Sequence, residues 1–280
     1  MYSWPANYDD CYTISDGFCK DGIGLHSGEK TRVKISPYHE EGFFVSFADN
    51  PDKIFKLNQN LIGSTMLCTA VKLGGRNLYT IEHLLSSLVG CGLSYIHIEV
   101  DGKEIPLLDG SAIEWVKAFE EVGIRKVLKP SNFNREITKS MIFNKEKSVI
   151  SMTPSNKTTI ISSISFPYKA IGLQTFEIDL NPKSYVEKIA PARTFGFKDQ
   201  FQELSELGLI KGGSLDNALV CDGDNWVNPP LRFHDEPIRH KILDLIGDLA
   251  LVGLPRAQIL VYKGSHSLNA VLASSLKNQL

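Results

Sequence analysis

The chain has 280 residues, of which 42% are apolar and 22% charged, and its formal net charge at pH 7 is −2. This length allows one large or two medium domains with a substantial core. The slight negative charge argues against nucleic acid as a partner, because nonspecific binding to phosphates normally requires a basic excess. No run is long enough to cross a bilayer, and the N-terminal residues lack the basic and apolar regions of a signal peptide. We therefore expect a cytoplasmic protein.

The cysteine pattern predicts reduced thiols. No two cysteines form a C-x-x-C pair, and their odd number does not suggest a disulfide framework. Any bound metal ion must then be held by histidines and carboxylates. The cysteines are Cys11, Cys19, Cys68, Cys91 and Cys221.

The first half of the chain has the pattern of strands followed by helix, strand and helix. Residues 11–47 alternate strand-like runs with turns, and His26 lies in a glycine-rich turn. We interpret His26 as a turn histidine with a structural hydrogen bond. A short helix is predicted at 81–89 and a strand at 95–100. A second helix is expected to start near Ser111.

Glu82 and His83 adjoin each other at the start of the first predicted helix. His83 could be a metal ligand, and Glu82 could then act as a base beside the metal. The alternative is a chance pair, because the helix dipole favours a glutamate in an exposed first turn.

The second half repeats this outline. Residues 123–134 lose periodicity and are interpreted as a linker. Strand-like runs follow, then helices around 198–208 and 236–252, a last strand, and a helix from Ser267. No residue-level repeat accompanies the outline. It favours two similar α+β domains.

The strongest single pattern lies in residues 232–251. Asp235 or Glu236 can cap a helix that has Pro237 in its first turn, where a missing N–H costs nothing. A set of apolar residues at helical spacing forms one face that can be buried. These residues are Ile238, Ile242, Leu245, Ile246 and Leu249.

The opposite face carries His240, Asp244 and Asp248 at positions i, i+4 and i+8. An imidazole and a carboxylate one turn apart can bind the same cation, and a further carboxylate can orient a ligand or charge a neighbouring histidine. The alternative is an ordinary polar helix face stabilised by a His–Asp pair.

Loops of the second half carry further candidates. The segments 191–197 and 209–220 are typical of loops or strand edges that line a cleft, and Thr194 offers a donor there. Lys263 and His266 fall between the last predicted strand and the last helix. A loop histidine suits proton transfer, although a solvated side chain is the simpler alternative.

Six segments occur in the order found in one enzyme family. The segments are T-I-E-H-L (80–84), E-I-P-L-L-D-G-S-A (104–112), A-R-T-F-G-F (192–197), G-G-S-L-D-N-A-L-V (212–220), F-H-D-E-P-I-R-H-K-I-L-D-L-I-G-D-L (233–249) and K-G-S-H-S-L-N (263–269). With these motifs the chain resembles the LpxC family of UDP-3-O-acyl-N-acetylglucosamine deacetylases. These zinc amidases commit Gram-negative bacteria to lipid A synthesis. The resemblance covers nearly the whole chain.

The resemblance implies a role for each motif residue. His83, His240 and Asp244 would be the ligands of one catalytic Zn²⁺, with Fe²⁺ possible in the cell. Glu82 would be the general base and His266 the protonated general acid.

The remaining roles concern charge and substrate. Asp248 would support the charge of His266, and Thr194 would help to hold the oxyanion. The residues expected to contact the sugar nucleotide are Phe195, Phe197, Lys241 and Lys263.

The fold implied is a pair of similar α+β domains, residues 1–127 and 128–280, each a two-layer sandwich of helices on a β-sheet. The resemblance also implies that the active site lies between the two domains. The second domain should also supply an apolar passage for the acyl chain, and plain core is the alternative for its candidates. The candidates are Phe197, Phe201, Leu204, Leu209, Ile210 and Ala218.

The expected partner is the sugar-nucleotide substrate, with at most transient contact to a membrane surface, and the protein is expected to be a monomer. Two alternatives remain open. An Fe(II) oxygenase also uses two histidines and one carboxylate. A non-catalytic metal-stabilised or nucleotide-binding module could use the same cleft, and metal removal would then unfold it.

Overall fold

A computed structural model describes residues 2–130 and 135–276. The strands in these ranges are β1 (Asp10–Ile14), β2 (Phe18–Ile23), β3 (Lys30–Pro37), β4 (Gly42–Phe47), β5 (Asn50–Lys56), β6 (Val71–Leu73), β7 (Arg76–Leu78), β8 (Tyr95–Val100), β9 (Ile124–Pro130), β10 (Arg135–Glu136), β11 (Met141–Lys145), β12 (Ser148–Pro154), β13 (Thr159–Ser165), β14 (Leu173–Asp179), β15 (Phe195–Phe197), β16 (Leu219–Asp222), β17 (Asn225–Trp226) and β18 (Pro255–Tyr262). The α-helices are α1 (Glu82–Gly90), α2 (Ile113–Val122), α3 (Pro182–Lys188), α4 (Phe201–Glu206), α5 (Glu236–Leu249) and α6 (His266–Leu276). Within the described part of the chain, no helix combines the length and apolar character that crossing a membrane requires.

The first half is built on a five-stranded sheet with the order β2-β3-β8-β4-β5. Its middle strand, β8, is antiparallel to β3 and parallel to β4. In β3 the side chains alternate between solvent and core, and Val33 and Ile35 are fully buried. Such alternation is expected where one sheet face is covered by helices.

The second half repeats this arrangement strand by strand. Its main sheet has the order β11-β12-β18-β13-β14, and the middle strand β18 is antiparallel to β12 and parallel to β13. In both halves the fifth strand of the main sheet enters the middle after a helix, and another helix follows it. The predicted pair of similar α+β units is therefore confirmed.

The helices of the two halves pack against each other. One continuous apolar core includes Leu84 and Leu88 from α1 and Ile242 and Ile246 from α5. Gly247 makes the close approach possible, because a Cβ atom at this position would lie 2.1 Å from the carbonyl oxygen of Glu82. The absence of a side chain at Gly247 therefore allows the start of α1 to pack directly on α5.

Three local predictions differ from the structure. Most of the predicted linker is β9, which pairs with β1, so the 127/128 boundary falls inside a strand, and residues 131–134 lie outside the described ranges. The helix expected at 198–208 is a short 3₁₀ turn followed by α4. Asp235 holds the N-cap position of α5 but makes no side-chain cap, because its carboxylate pairs with Arg239.

Each half carries an insertion before its central helix. In the first half, residues 57–81 between β5 and α1 contain the small hairpin β6–β7. In the second half, residues 180–235 between β14 and α5 contain α3, α4 and the three-stranded sheet β15-β16-β17. Both insertions reach the helix pair and supply groups to the site.

Candidate active site

Two histidines and a carboxylate from different halves meet where α1 packs on α5. His83 is the second residue of α1, and His240 and Asp244 lie one turn apart on α5. Oδ1 of Asp244 lies 3.3 Å from Nε2 of His240 and 3.9 Å from Nε2 of His83. One donor atom from each residue lies within 4.8 Å of the others, and all three residues are buried. The structure thus brings the three predicted ligands together.

The protonation states of the two histidines suit a metal ligand. Nδ1 of His240 donates to the carbonyl oxygen of Ala192 over 3.0 Å, which directs Nε2 toward Asp244. Burial lowers the pKa of His240, and burial together with the neighbouring imidazole of His240 lowers the pKa of His83 to about 3. Both rings are therefore neutral near pH 7 and keep a lone pair for a cation.

Asp244 is ionised in spite of its burial. Burial acts to raise the pKa of this carboxyl, but the positive charge of Lys241, together with that of His266, holds it well below its usual range. Nζ of Lys241 donates to Oδ2 over 2.7 Å and lies 5.7 Å from the ring centroid of Phe195. Lys241, predicted as a substrate contact, therefore also binds the carboxylate of the ligand set.

The donor set fits a divalent cation such as zinc. Nitrogen and oxygen ligands bound to one tetrahedral zinc ion lie about 3.4 Å from one another. The two distances from Oδ1 of Asp244 to the histidine nitrogens, 3.3 and 3.9 Å, are close to that separation. Three protein ligands are also the number that a catalytic zinc site uses, because the remaining position serves water or substrate.

Glu82 lies beside this cluster and is almost completely buried. Its carboxylate accepts a hydrogen bond of 3.0 Å from the backbone N–H of Thr69. Burial raises the pKa of Glu82 to about 8, and although the positive charge of His266 opposes the rise, the charges of Asp248 and Asp244 reinforce it. A carboxyl that titrates near neutral pH is suited to accept and return a proton.

His266 faces the same cluster from the start of α6. Its Nδ1 lies 2.9 Å from Oδ2 of Asp248, and its Nε2 lies 4.0 Å from Oδ2 of Asp244. Burial acts to lower the pKa of His266, but the two aspartates outweigh it and raise the pKa to about 9. The imidazole is therefore charged at neutral pH, and its Nε2 is on the side of Asp244.

The sequence patterns did not predict two residues that donate hydrogen bonds to Asp248. The hydroxyl of Thr69 donates to Oδ1 of Asp248 over 2.5 Å, and the side-chain amide of Asn269 donates to Oδ2 over 2.9 Å. Asn269 closes the segment K-G-S-H-S-L-N and could have been found there, one turn after His266. Thr69 lies on an irregular loop that no periodic pattern marks.

The segment around Thr194 is fixed beside the start of α5. Arg193 donates through its backbone N–H and its Nε to the same oxygen of the buried Glu236, over 2.9 and 2.8 Å. Two residues on, the ring of Phe195 lies 6.4 Å from the ring of His240. Thr194, half-buried between them, therefore lies near the ligand cluster.

The remaining predicted substrate contacts are Phe197 and Lys263. Phe197 stacks on Tyr168 with ring centroids 4.4 Å apart and packs edge-on against Phe195. Nζ of Lys263 lies 5.5 Å from the ring centroid of Tyr262. Phe197 is thus part of an aromatic cluster that reaches toward the ligand set through Phe195.

The acyl-passage candidates divide into two groups. Phe197 belongs to a second apolar cluster, separate from the main core, that also contains Phe166, Tyr168 and Phe195. The other candidates are not buried: Phe201 is exposed and the rest are half-buried. Plain core therefore does not describe them. The half-buried residues are Leu204, Leu209, Ile210 and Ala218.

His26 lies in the predicted turn, and its structural hydrogen bond is made by the backbone N–H and not by the ring. Both ring nitrogens are buried and have no hydrogen-bond partner within the described residues. The turn is held by Glu104 instead. Its carboxylate accepts from the backbone N–H groups of His26 and Ser27 and from the hydroxyl of Thr80.

A buried two-histidine, one-carboxylate cluster with a carboxyl on one side and a charged histidine on the other defines the class: a metal-dependent hydrolase. The sequence model of the LpxC family, described as UDP-3-O-acyl N-acetylglycosamine deacetylase, matches residues 12–278. The chain therefore belongs to the LpxC family.

Individual relatives carry the same name. A UDP-3-O-acyl-N-acetylglucosamine deacetylase of Trichormus variabilis is 42% identical over 272 residues, which cover 95% of this chain and 97% of the relative. The protein of that name from Synechocystis is 42% identical over 269 residues, covering 95% and 98%. The one from Nautilia profundicola is 38% identical over 232 residues, covering 83% and 79%.

Proposed function

We propose that the chain removes the N-acetyl group of UDP-3-O-acyl-N-acetylglucosamine with the help of one Zn²⁺ held by His83, His240 and Asp244. Deacetylation of this substrate, a hydrolase reaction of the lipid A pathway, is the activity of the family to which the chain belongs. The convergence of the three donor atoms, from two different halves, is the single observation that supports the metal site best.

Zinc is favoured because two imidazoles and one carboxylate are its common catalytic ligands, and Fe²⁺ can use the same donors. When bound, such an ion polarises a water molecule and the acetyl carbonyl. The protein then has to move two protons. One leaves the attacking water, and one must reach the amine nitrogen before the C–N bond breaks to release acetate.

Glu82 is the proposed general base. It is adjacent in sequence to His83, its carboxylate is held by a backbone N–H, and its raised pKa gives it affinity for a proton at neutral pH. The proton that Glu82 takes from water is the first of the two transfers.

His266 is the proposed general acid. Asp248 holds Nδ1 of its ring, which leaves Nε2 as the atom that delivers a proton to the leaving amine. The charge of Asp248 keeps the imidazolium stable until that transfer. The base and the acid thus lie on different elements that converge on one cluster.

Thr194 is the proposed donor to the oxyanion, supported by its position between Arg193 and Phe195 beside α5. A preorganised donor at that place lowers the barrier because it stabilises charge that develops only in the transition state. The proposed contacts to the sugar nucleotide are Phe195, Phe197, Lys241 and Lys263.

The proposed acyl passage runs along the second apolar cluster. Its aromatic side chains give a continuous apolar surface that starts beside His240 and continues away from it. The half-buried residues around α4 would border it. The aromatic members are Phe166, Tyr168, Phe195 and Phe197.

We further propose that the chain works as a cytoplasmic monomer of two domains, with at most transient contact to a membrane surface. The boundary between the domains lies at the end of β9 rather than at the predicted 127/128 position, because β9 pairs with β1. The matching strand order of the two sheets supports the division. The near-neutral charge gives no reason for strong binding to anionic lipid or nucleic acid.

The test is acetate release from UDP-3-O-acyl-N-acetylglucosamine by purified protein before chelation, after chelation, and after Zn²⁺ is added back. We expect activity to disappear and then to return with about one equivalent of metal, while the fold persists. Metal binding without acetate release at any acyl length would overturn the proposal. Unfolding on chelation would instead favour a metal-stabilised module.

A further inference from the structure

Thr69 lies at the meeting point of three elements that carry the proposed proton-transfer groups. It follows an irregular loop of residues 63–68 and is 2% exposed. The loop is closed by a hydrogen bond of 2.8 Å from the backbone N–H of Gly63 to the carbonyl oxygen of Ala70. The carbonyl oxygen of Thr69 accepts a hydrogen bond of 3.3 Å from the backbone N–H of Ile81. Its backbone is therefore tied to the residue that precedes α1.

Thr69 contacts both proton-transfer groups at once. Its backbone N–H donates to Oε2 of Glu82 over 3.0 Å, and its hydroxyl donates to Oδ1 of Asp248 over 2.5 Å. The same hydroxyl oxygen lies 3.2 Å from Nδ1 of His266. One residue thus joins the start of α1, the end of α5 and the start of α6.

The hydroxyl completes the set of donors around Asp248. Oδ2 of this carboxylate accepts from Nδ1 of His266 and from the amide of Asn269, and within the described part of the chain Oδ1 accepts from Thr69. A buried carboxylate that loses one donor is left with an unsatisfied oxygen and reorients. The ring of His266 would then lose the direction that Asp248 gives it.

We propose that Thr69 is a positioning residue for the deacetylation, which fixes the Asp248–His266 pair through its hydroxyl and Glu82 through its backbone N–H. The proposal rests on the proton-transfer roles proposed above for Glu82 and His266. Thr69 acts through these groups and does not exchange a proton with the substrate.

The hydroxyl can be tested apart from the backbone because valine has nearly the same shape as threonine and keeps the N–H. Thr69→Val removes the donor to Asp248, whereas Thr69→Ser keeps it and removes only a methyl group. Loss of a hydrogen bond that orients a metal ligand typically lowers activity about 10- to 100-fold, and we expect a loss of the same size for a bond that orients the proposed acid. We expect that loss in kcat for Thr69→Val, with KM changed by less than about threefold.

Thr69→Ser should retain kcat within about threefold, and both variants should keep one equivalent of metal and a cooperative melt. A loss in Thr69→Ser as large as in Thr69→Val would overturn the proposal, because the hydroxyl would then not be the required group. Normal kcat in Thr69→Val would overturn it as well.

A double-mutant cycle with His266→Ala separates positioning from general stabilisation. If Thr69 acts through His266, Thr69→Val should add less than about threefold to the loss already caused by His266→Ala. Multiplicative losses would overturn the proposal. Near-normal turnover of His266→Ala alone would instead overturn the proposed acid, and this outcome is distinguishable because it does not depend on Thr69.

Discussion

The two halves share one strand order but carry different chemistry at matching places. The central helix of the first half, α1, presents Glu82 and His83 at its start, whereas the corresponding α5 presents His240, Asp244 and Asp248 along a whole face. In α1 two adjacent residues in the first turn face the site, whereas in α5 residues one turn apart on the same face do so. The repeat therefore supplies the scaffold, and neither half holds a complete site.

The loops after the middle strands differ in the same way. In the first half, the segment that follows β8 contains Glu104, which holds the turn around His26. In the second half, the segment that follows β18 leads directly to His266, which is charged and faces the ligand set. One loop has a structural carboxylate at the place where the other has the proposed acid.

The largest expected effect comes from removing a ligand from either half. His83→Ala and His240→Ala should each lose bound metal and lower kcat/KM by about four powers of ten, because the ion supplies several kcal/mol of stabilisation. Metal content and acetate release measure this. His39→Ala, at an exposed histidine, is the matched control and should behave as wild type. Retention of metal by either ligand variant would contradict the shared site.

Removal of the base or the acid should be smaller in effect and should leave the metal in place. Glu82→Ala and His266→Ala should each lower kcat about 100- to 1000-fold, which lies within the range of about 100- to 10,000-fold that is typical of general acid–base catalysis. Metal content should stay at about one equivalent, as measured beside the rate. Near-normal turnover in either variant would contradict the assignment of one proton transfer to Glu82 in the first half and the other to His266 in the second half.

A substitution at Gly247, where α1 packs on α5, should have a still smaller effect on activity but should clearly lower the thermal stability. Gly247→Ala places a methyl group against the carbonyl of Glu82, and overpacking of this kind costs about 1–3 kcal/mol or more. Thermal unfolding measures the loss. The control is Gly63→Ala, where the nearest atom lies 3.7 Å away. An equal melting temperature for both variants would argue that α1 and α5 can separate without cost.

Sequence patterns predicted what depends on local spacing. The α5 face and the Glu82–His83 pair could be predicted because residues at helical spacing must share a face, whatever the rest of the fold. The order of the motifs then supported the family resemblance, which placed His266 and Thr194 in the same site as these residues. Alternation predicted β8 at 95–100, and the similarity of the halves followed from the order of elements.

Features that depend on distant contacts could not be predicted. Residues 124–130 lack periodicity but become β9 because β1 offers an unpaired edge. Thr69 meets Asp248 across 179 positions, and no local pattern encodes this contact. Asp235 has the residue type of a helix cap, yet Arg239 one turn later binds its carboxylate.

The pH dependence of kcat/KM in the metal-loaded enzyme tests most directly whether the base and the acid are divided between the halves. Activity requires Glu82 without its proton and His266 with its proton, so the rate should rise as Glu82 ionises and fall as His266 loses its proton. Without a cation the two pKa values are about 8 and about 9, in the required order. A nearby divalent cation lowers both pKa values, which moves the bell-shaped pH profile of kcat/KM to lower pH. We predict that His266→Ala keeps the acidic limb and loses the basic one. A basic limb that persists in His266→Ala would contradict the account.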